Sequence, residues 1–233
     1  MHHIFFDLDD TLTQSRSLMD SEMEKVLVDL VQIFDVTVVS GATVEQIKKQ
    51  IPPKILDKCY ILAQNGNFAL HKDGKTIWAH KLSTIEKKVI LFHIKTIAKK
   101  YNIILGKNND HVEDRGCQIS FSLVGHHADL DLKKRFDPGG KRRAEILKAI
   151  PIESNTVDVK IGGTTCLDYF EKGKNKGSNV VEFIKKLGWK KEEALYVGDA
   201  LYPGGNDEDV VGLIKTQTVK GPSDTLEFIR TLL

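Results

Sequence analysis

A chain of 233 residues with 41% hydrophobic and 28% charged residues can bury a substantial core, which excludes an intrinsically disordered protein. The net charge is only +2 and the lysines share their helices with glutamates, so the basic footprint of a nucleic-acid binder is missing and small phosphorylated ligands fit better. Cys59, Cys117 and Cys166 are widely spaced within apolar stretches, which argues against a disulfide framework or a zinc knuckle. With no apolar leader and no membrane-length apolar run, a reducing cytoplasm is the expected setting, and neither membrane nor nucleic acid is an expected partner.

The chain opens on IFFDLDDTLT, which predicts a buried strand delivering Asp7 and Asp9 at its end, with Thr11 directly after. A helical pattern over 21–34, a strand at VTVVS, a helix over 44–50 ended by Pro52 and Pro53, and a strand at YILAQ follow. Buried strands separated by amphipathic helices are the pattern of a doubly wound parallel α/β sheet. Phe68, Leu70, Ile77 and Trp78 flank the turn residues KDGK and predict a hairpin.

From Leu82 the rhythm changes. A long helix over 84–100, strands around IILG and CQISFSLVG, a helix over 141–150 and a strand at TVDVKI predict a small α+β unit with a mostly antiparallel sheet. The core rhythm then returns with a helix over 176–187, the strand ALYVG, a helix after Gly205 and a last strand near TQTVK. The expected organisation is a core domain of residues 1–81 and 167–233, interrupted by an inserted domain of residues 82–166.

Two carboxylates at i and i+2 just past a buried strand can divide labour: Asp7 attacks phosphorus and Asp9 shuttles a proton. Such a site also needs Mg²⁺ and a cation to spread the charge of the transferred group. Ser40 and Gly41 end the second core strand ahead of a helix, where Ser40 can hold a phosphate oxygen or serve as an N-cap. In GKNKG, Lys174 and Lys176 precede a helix between glycines, and a lysine there can neutralise nucleophile and phosphate alike. In YVGDALYPGGNDEDV, Asp199 leaves a buried strand as Asp7 does, and Asn206 and Asp207 follow a glycine pair. Hard oxygen ligands converging from two strand ends suit Mg²⁺.

These four segments, in this order, resemble the haloacid dehalogenase (HAD) superfamily of phosphoryl transferases. The resemblance implies Asp7 as nucleophile, Asp9 as general acid/base, Ser40 as phosphate-binding residue, Lys176 as the motif lysine, and Asp7, Asp9 and Asp199 around the metal. An insertion between the second and third motifs resembles the larger α+β cap of subfamily IIB. LTQSR, AQNGNFALHKDG, IGGTTCLDYFEKG, GDALYPGGND and VKGPSDT are further similar to the eukaryotic-type phosphomannomutase branch and its bacterial relatives. In that branch the cap grips a sugar phosphate while the core holds the reacting one, which implies substrate-side roles for Thr11, Arg16, Ser40, Gly41, Arg115, Asp168 and Asn206.

The departures from the branch are specific. His126 and Lys133 stand where second and third cap arginines are expected, Cys166 replaces a serine, and Asp10 replaces a glycine. Neither histidine nor lysine reproduces the rigid bidentate fork of arginine, so a weaker grip on a distal phosphate is implied. The first expectation is therefore a Mg²⁺-dependent phosphatase acting through an aspartyl phosphate on a sugar phosphate or similar phosphomonoester. The alternative is a hexose phosphate mutase interconverting mannose 6-phosphate and mannose 1-phosphate, which must exclude water by cap closure. An inactive sugar-phosphate-binding module is the third reading, opposed by the intact acidic pair. Oligomeric state is left open, a cap-mediated homodimer being compatible with the branch.

Overall fold

The computed structural model describes residues 1–105 and 110–233. In β1 (His3–Asp7) every residue is buried, and its side chains alternate between two cores, with Ile4 and Phe6 on one face and Phe5 on the other. That is why the run is continuously apolar instead of alternating. On one side it pairs in parallel with β2 (Asp35–Val39), which pairs with β3 (Tyr60–Ala63). On the other side β10 (Ala194–Gly198) and then β11 (Lys215–Thr218) extend the sheet, also in parallel. The expected hairpin forms as β4 (Phe68–Leu70) and β5 (Thr76–Ala79), which complete a seven-stranded sheet in the order β11-β10-β1-β2-β3-β4-β5. All four residues of the edge strand β11 are exposed.

Helices cover both faces. Asp20 caps α1 (Ser21–Ile33) by accepting from the Glu22 N–H, and Met23, Leu27 and Leu30 face the sheet at i, i+4 and i+7. Thr43 and Gln46 form a capping box on α2 (Val44–Gln50), so the N-cap is Thr43 and not Ser40. Pro52 and Pro53 do follow the end of α2, but Pro53 also opens a short helix α3 (Pro53–Leu56), where a missing N–H costs nothing. On the opposite face, Val180, Phe183 and Ile184 of α7 (Lys176–Lys186) pack with Phe5 and Tyr196. After Gly205 the structure forms only a 3₁₀ turn at Glu208–Val210 in place of the expected helix. A last helix, α8 (Pro222–Arg230), contacts α1.

The chain divides into two compact units, the first comprising Met1–Ala79, Asn175–Pro203 and Asp207–Leu233, the second His80–Lys174 with Gly204–Asn206. The second unit opens on α4 (Thr84–Lys100), held by a Ser83–Glu86 capping box. Its sheet runs β6-β7-β9-β8, from β6 (Val112–Asp114), β7 (Ile119–Ser122), β8 (Val157–Gly162) and β9 (Cys166–Glu171), all antiparallel. The expected strand at IILG is absent over residues 103–105, and Gly106 lies outside the described residues. Because β9 pairs with β7 and β8, residues 167–171 stay with the second unit, and the chain re-enters the first at Asn175, later than the sequence boundary at 167. Ile119, Phe121, Leu167 and Tyr169 line one sheet face and cluster with Ile90, Ile94 and Ile97 of α4 and Ile146 of α6 (Lys141–Ala149). A short helix α5 (Leu130–Phe136) precedes α6.

Candidate active site

Register places the acids of the first unit. Asp7 ends β1 opposite Val39, so Ser40 leaves β2 one residue beyond that pairing, and Asp199 leaves β10 on the other flank of β1. Strand ends of a parallel sheet are where ligands bind, because backbone groups emerge there unpaired. Lys176, at the first position of α7 behind the cap Asn175, is buried and its Nζ donates to Asp7 Oδ1 at 2.8 Å and to Asp207 Oδ1 at 2.6 Å. Oxygens of Asp7, Asp199 and Asp207 lie within 4.8 Å of one another.

Sequence reasoning named Asp207 beside Asn206 but gave the site role to Asn206; the structure brings Asp207, fully buried, into contact with Lys176. Asn206 is exposed and groups with the second unit. The signal for Asp207 was Gly198, where an added Cβ would lie 2.4 Å from Asp207 Oδ2. A glycine nine residues before an aspartate, at a strand end, leaves room for that carboxylate.

Three carboxylates around one buried ammonium leave an excess of negative charge. Burial raises the Asp7 carboxyl well above the ordinary range; Lys176 opposes this, and Asp207 and Asp199 add to it. Asp199 is pushed up to about 6 by burial, with Asp207 and Asp10 adding to it. Burial alone would lower the Lys176 ammonium, but Asp207 and Asp7 more than offset it and hold the group above the usual lysine range. A site this acidic, made of hard oxygen donors, fits a divalent cation.

The neighbouring residues have narrower tasks. Thr11 is fully buried, and its Oγ1 donates to Asp199 Oδ1 at 3.3 Å while accepting from the Asp199 N–H at 3.1 Å, so it orients a carboxylate where a phosphate contact was expected. Asp9 Oδ1 accepts from the Arg16 N–H at 2.7 Å, and its carboxylate is not among the three clustered acids. Burial raises the Asp9 carboxyl, with that hydrogen bond opposing. Arg16 is exposed. Asp10 has φ +58°, a left-handed conformation that glycine adopts freely and aspartate tolerates. Ser40 is buried with its Oγ accepting from the Ala42 N–H at 3.1 Å, and Gly41 follows it, partly buried.

In the second unit Asp168 lies on the polar face of the sheet, while Arg115 and His126 stand in loops and Lys133 on α5. Glu113, Ser120, Asp168 and Lys160 are successive cross-strand partners. Ser120 Oγ donates to Asp168 Oδ1 at 2.7 Å, and Gly162 leaves room for that carboxylate, since a Cβ there would lie 2.1 Å from Asp168 Oδ2. Arg115 donates to Glu113 Oε2 through Nε at 3.0 Å and Nη2 at 2.6 Å. His126 is buried, with Nε2 3.2 Å from the Ser120 carbonyl and Nδ1 3.7 Å from Glu113 Oε1. Lys133, on α5, donates to the His126 carbonyl. Arg143, unremarked in the sequence, is buried with Nε on Asp137 at 2.7 Å and Nη1 on the carbonyls of Gly162, Gly163 and Cys166, which ties down the β8–β9 turn.

Among the described residues no helix is long and apolar enough to cross a membrane, and Cys59, Cys117 and Cys166 are buried thiols not joined in a disulfide.

Known proteins share both the sequence and the fold. A phosphomannomutase of Triticum aestivum is 27% identical over 97% of this chain and 93% of its own length, and phosphomannomutase 2 of Dictyostelium discoideum is 28% identical over 96% and 93%. A haloacid dehalogenase-like hydrolase from Bacteroides thetaiotaomicron superposes with a TM-score of 0.66 at 14% identity, covering 100% of this chain and 99% of that one. The HAD subclass IIB sugar phosphatase BT4131 does so with a TM-score of 0.63 at 15% identity, covering 100% and 99%. These likenesses establish the α/β HAD core with its additional α+β unit as the fold. The model of the eukaryotic phosphomannomutase family matches residues 23–233, beginning after the Asp7–Asp9 segment and taking in Lys176, Asp199, Asp207 and the whole second unit. On that match the chain belongs to the eukaryotic phosphomannomutase family.

Proposed function

We propose that this protein transfers the phosphoryl group of a sugar phosphate through Asp7, and that water is its usual acceptor. The observation that carries the reading is the buried chain of Asp7, Lys176 and Asp207 with Asp199 alongside. A nucleophile held 2.8 Å from a buried ammonium, beside acids that a divalent ion would neutralise, suits attack on an anionic ester better than any structural role.

Asp7 attacks phosphorus and forms an acyl phosphate, and Lys176 compensates charge on both the carboxylate and the incoming group. Asp9, whose carboxyl burial raises, keeps a proton long enough to give it to the leaving oxygen, and afterwards takes one from the attacking water. Asp7, Asp199 and Asp207 would hold Mg²⁺, which when bound supplies Lewis-acid polarisation of phosphoryl oxygens. Ser40, Gly41 and Arg16 are proposed to contact the phosphate, and Arg115, His126, Lys133, Asp168 and Asn206 the rest of the substrate.

Hydrolysis is placed first because the basic groups of the second unit already serve internal partners: Arg115 is on Glu113 and Lys133 on a main-chain carbonyl. A mutase must hold a second phosphate firmly. The mutase reading is kept because the family model and the relatives carry that name.

³¹P NMR on mannose 1-phosphate and glucose 1-phosphate with Mg²⁺, with and without a hexose bisphosphate, separates the two. Inorganic phosphate is expected; a new 6-phosphate resonance would identify the mutase. Asp7→Asn is expected to abolish both products, and full turnover in that variant would remove Asp7 from the reaction.

A further inference from the structure

One polar group in the first unit has no part in this scheme. Tyr196 lies on β10 with its ring in a core otherwise built from Phe5, Val39, Leu62, Val180, Phe183 and similar apolar side chains. It is fully buried. Phenylalanine would fill the same volume, and a hydroxyl in such surroundings is costly unless it finds a strong acceptor. It donates to Asp207 Oδ1 at 2.6 Å, the same oxygen that Lys176 Nζ reaches at 2.6 Å. The other carboxylate oxygen, Oδ2, accepts from the Ala200 N–H at 3.4 Å.

On this basis, and resting on Asp7 as the nucleophile, we infer that Tyr196 is a positioning residue: its hydroxyl fixes the rotation of the Asp207 carboxylate, and thereby the place of the Lys176 ammonium against Asp7. A carboxylate turns easily about its last torsion. In the pose found, Asp207 Oδ1 meets Lys176 while the carboxylate stays in the cluster with Asp7 and Asp199, whose oxygens lie within 4.8 Å of one another. The short hydrogen bond to a charged acceptor holds it in that pose. Gly198 reinforces it, because a Cβ there would meet both Asp207 Oδ2 at 2.4 Å and the Tyr196 ring at 2.9 Å, so ring and carboxylate are packed together over one backbone position.

The test is Tyr196→Phe, which removes one oxygen and keeps the ring. With a sugar 1-phosphate and Mg²⁺, kcat is expected to fall about tenfold while KM stays within about twofold, since only charge compensation at the reacting centre is disturbed. The second readout needs no turnover: the Lys176 Nζ resonance of ¹⁵N-labelled protein shifts or broadens in the variant. An unchanged kcat, a loss accounted for by a smaller folded fraction, or an unmoved Nζ resonance would each overturn the inference. A wild-type protein with no turnover on any phosphomonoester would instead count against the proposed reaction, and the Nζ measurement would still judge Tyr196.

Discussion

Thr11 and Asp199 exchange two hydrogen bonds across 188 residues of chain, hydroxyl to carboxylate and main-chain N–H to hydroxyl. One buried side chain thus fixes both the backbone and the carboxylate of the acid that leaves β10. Thr11→Val keeps the shape and removes both bonds. Each such bond contributes roughly 1 kcal/mol net, so Mg²⁺ affinity should fall about 5- to 30-fold. The Mg²⁺ dependence of the rate, or calorimetric titration, reads this directly, and an unchanged affinity would show that Asp199 orients itself.

Lys176→Met should do far more. It leaves Asp7 and Asp207 buried without their ammonium, a change that typically costs about 3–5 kcal/mol. Turnover should drop at least about 100-fold. The stability deficit should narrow as pH falls from 7.5 toward 5, because burial raises the Asp7 carboxyl and Lys176 opposes that rise, so without the ammonium Asp7 takes up a proton more readily and a protonated Asp7 needs no cation. Urea unfolding at both pH values measures it, and a deficit independent of pH would contradict the charge account.

For metal-free protein the sign of the pH dependence follows from Asp199. Its carboxyl sits at about 6 in the folded chain against an ordinary 3.8, so between those values the folded state binds more protons than the unfolded one. Stability from this group is therefore lost as pH rises through that window. A divalent ion replaces the missing protons, so Mg²⁺ should raise the melting temperature more at pH 7.5 than at pH 5. Equal shifts at the two pH values would mean that these acids do not bind it.

Arg143→Met tests the second unit by itself. Asp137 would be left buried and three carbonyls would lose their donor, at a cost of about 3–5 kcal/mol. Hydrogen exchange should accelerate across β8 and β9 while β1, β2 and β10 stay protected. Uniform acceleration over both units would show that the β8–β9 turn is not an independent point of weakness.

Much of the site was legible because its chemistry sits at predictable places. Asp7 and Asp199 end continuous apolar runs, and Lys176 stands between glycines at a helix start, so residue type and position pointed the same way. Asp207 was underweighted because its neighbour Asn206 looked equally polar, and the burial that separates them arises from the turn at Glu208–Val210, which no periodicity announces. In the second unit β6 is three residues long and partly exposed, too short for an alternating pattern. The strand β9 was hidden inside a segment read for its ligand residues. For α5 the apolar Leu130 and Leu132 are exposed and Lys133 is the buried residue, the reverse of an amphipathic stripe. Only Asp129, whose side chain accepts from the Asp131 and Leu132 N–H groups, marked its start.

The exposed margin at β11 carries its own consequence. Lys215, Thr216, Gln217 and Thr218 give an unpaired row of main-chain groups no apolar side chains to recruit a second sheet, and the lysine repels its own kind. Replacing Thr216 and Thr218 with valine would create a sticky border, and the protein would be expected to self-associate into strand-paired aggregates without any change at its acids.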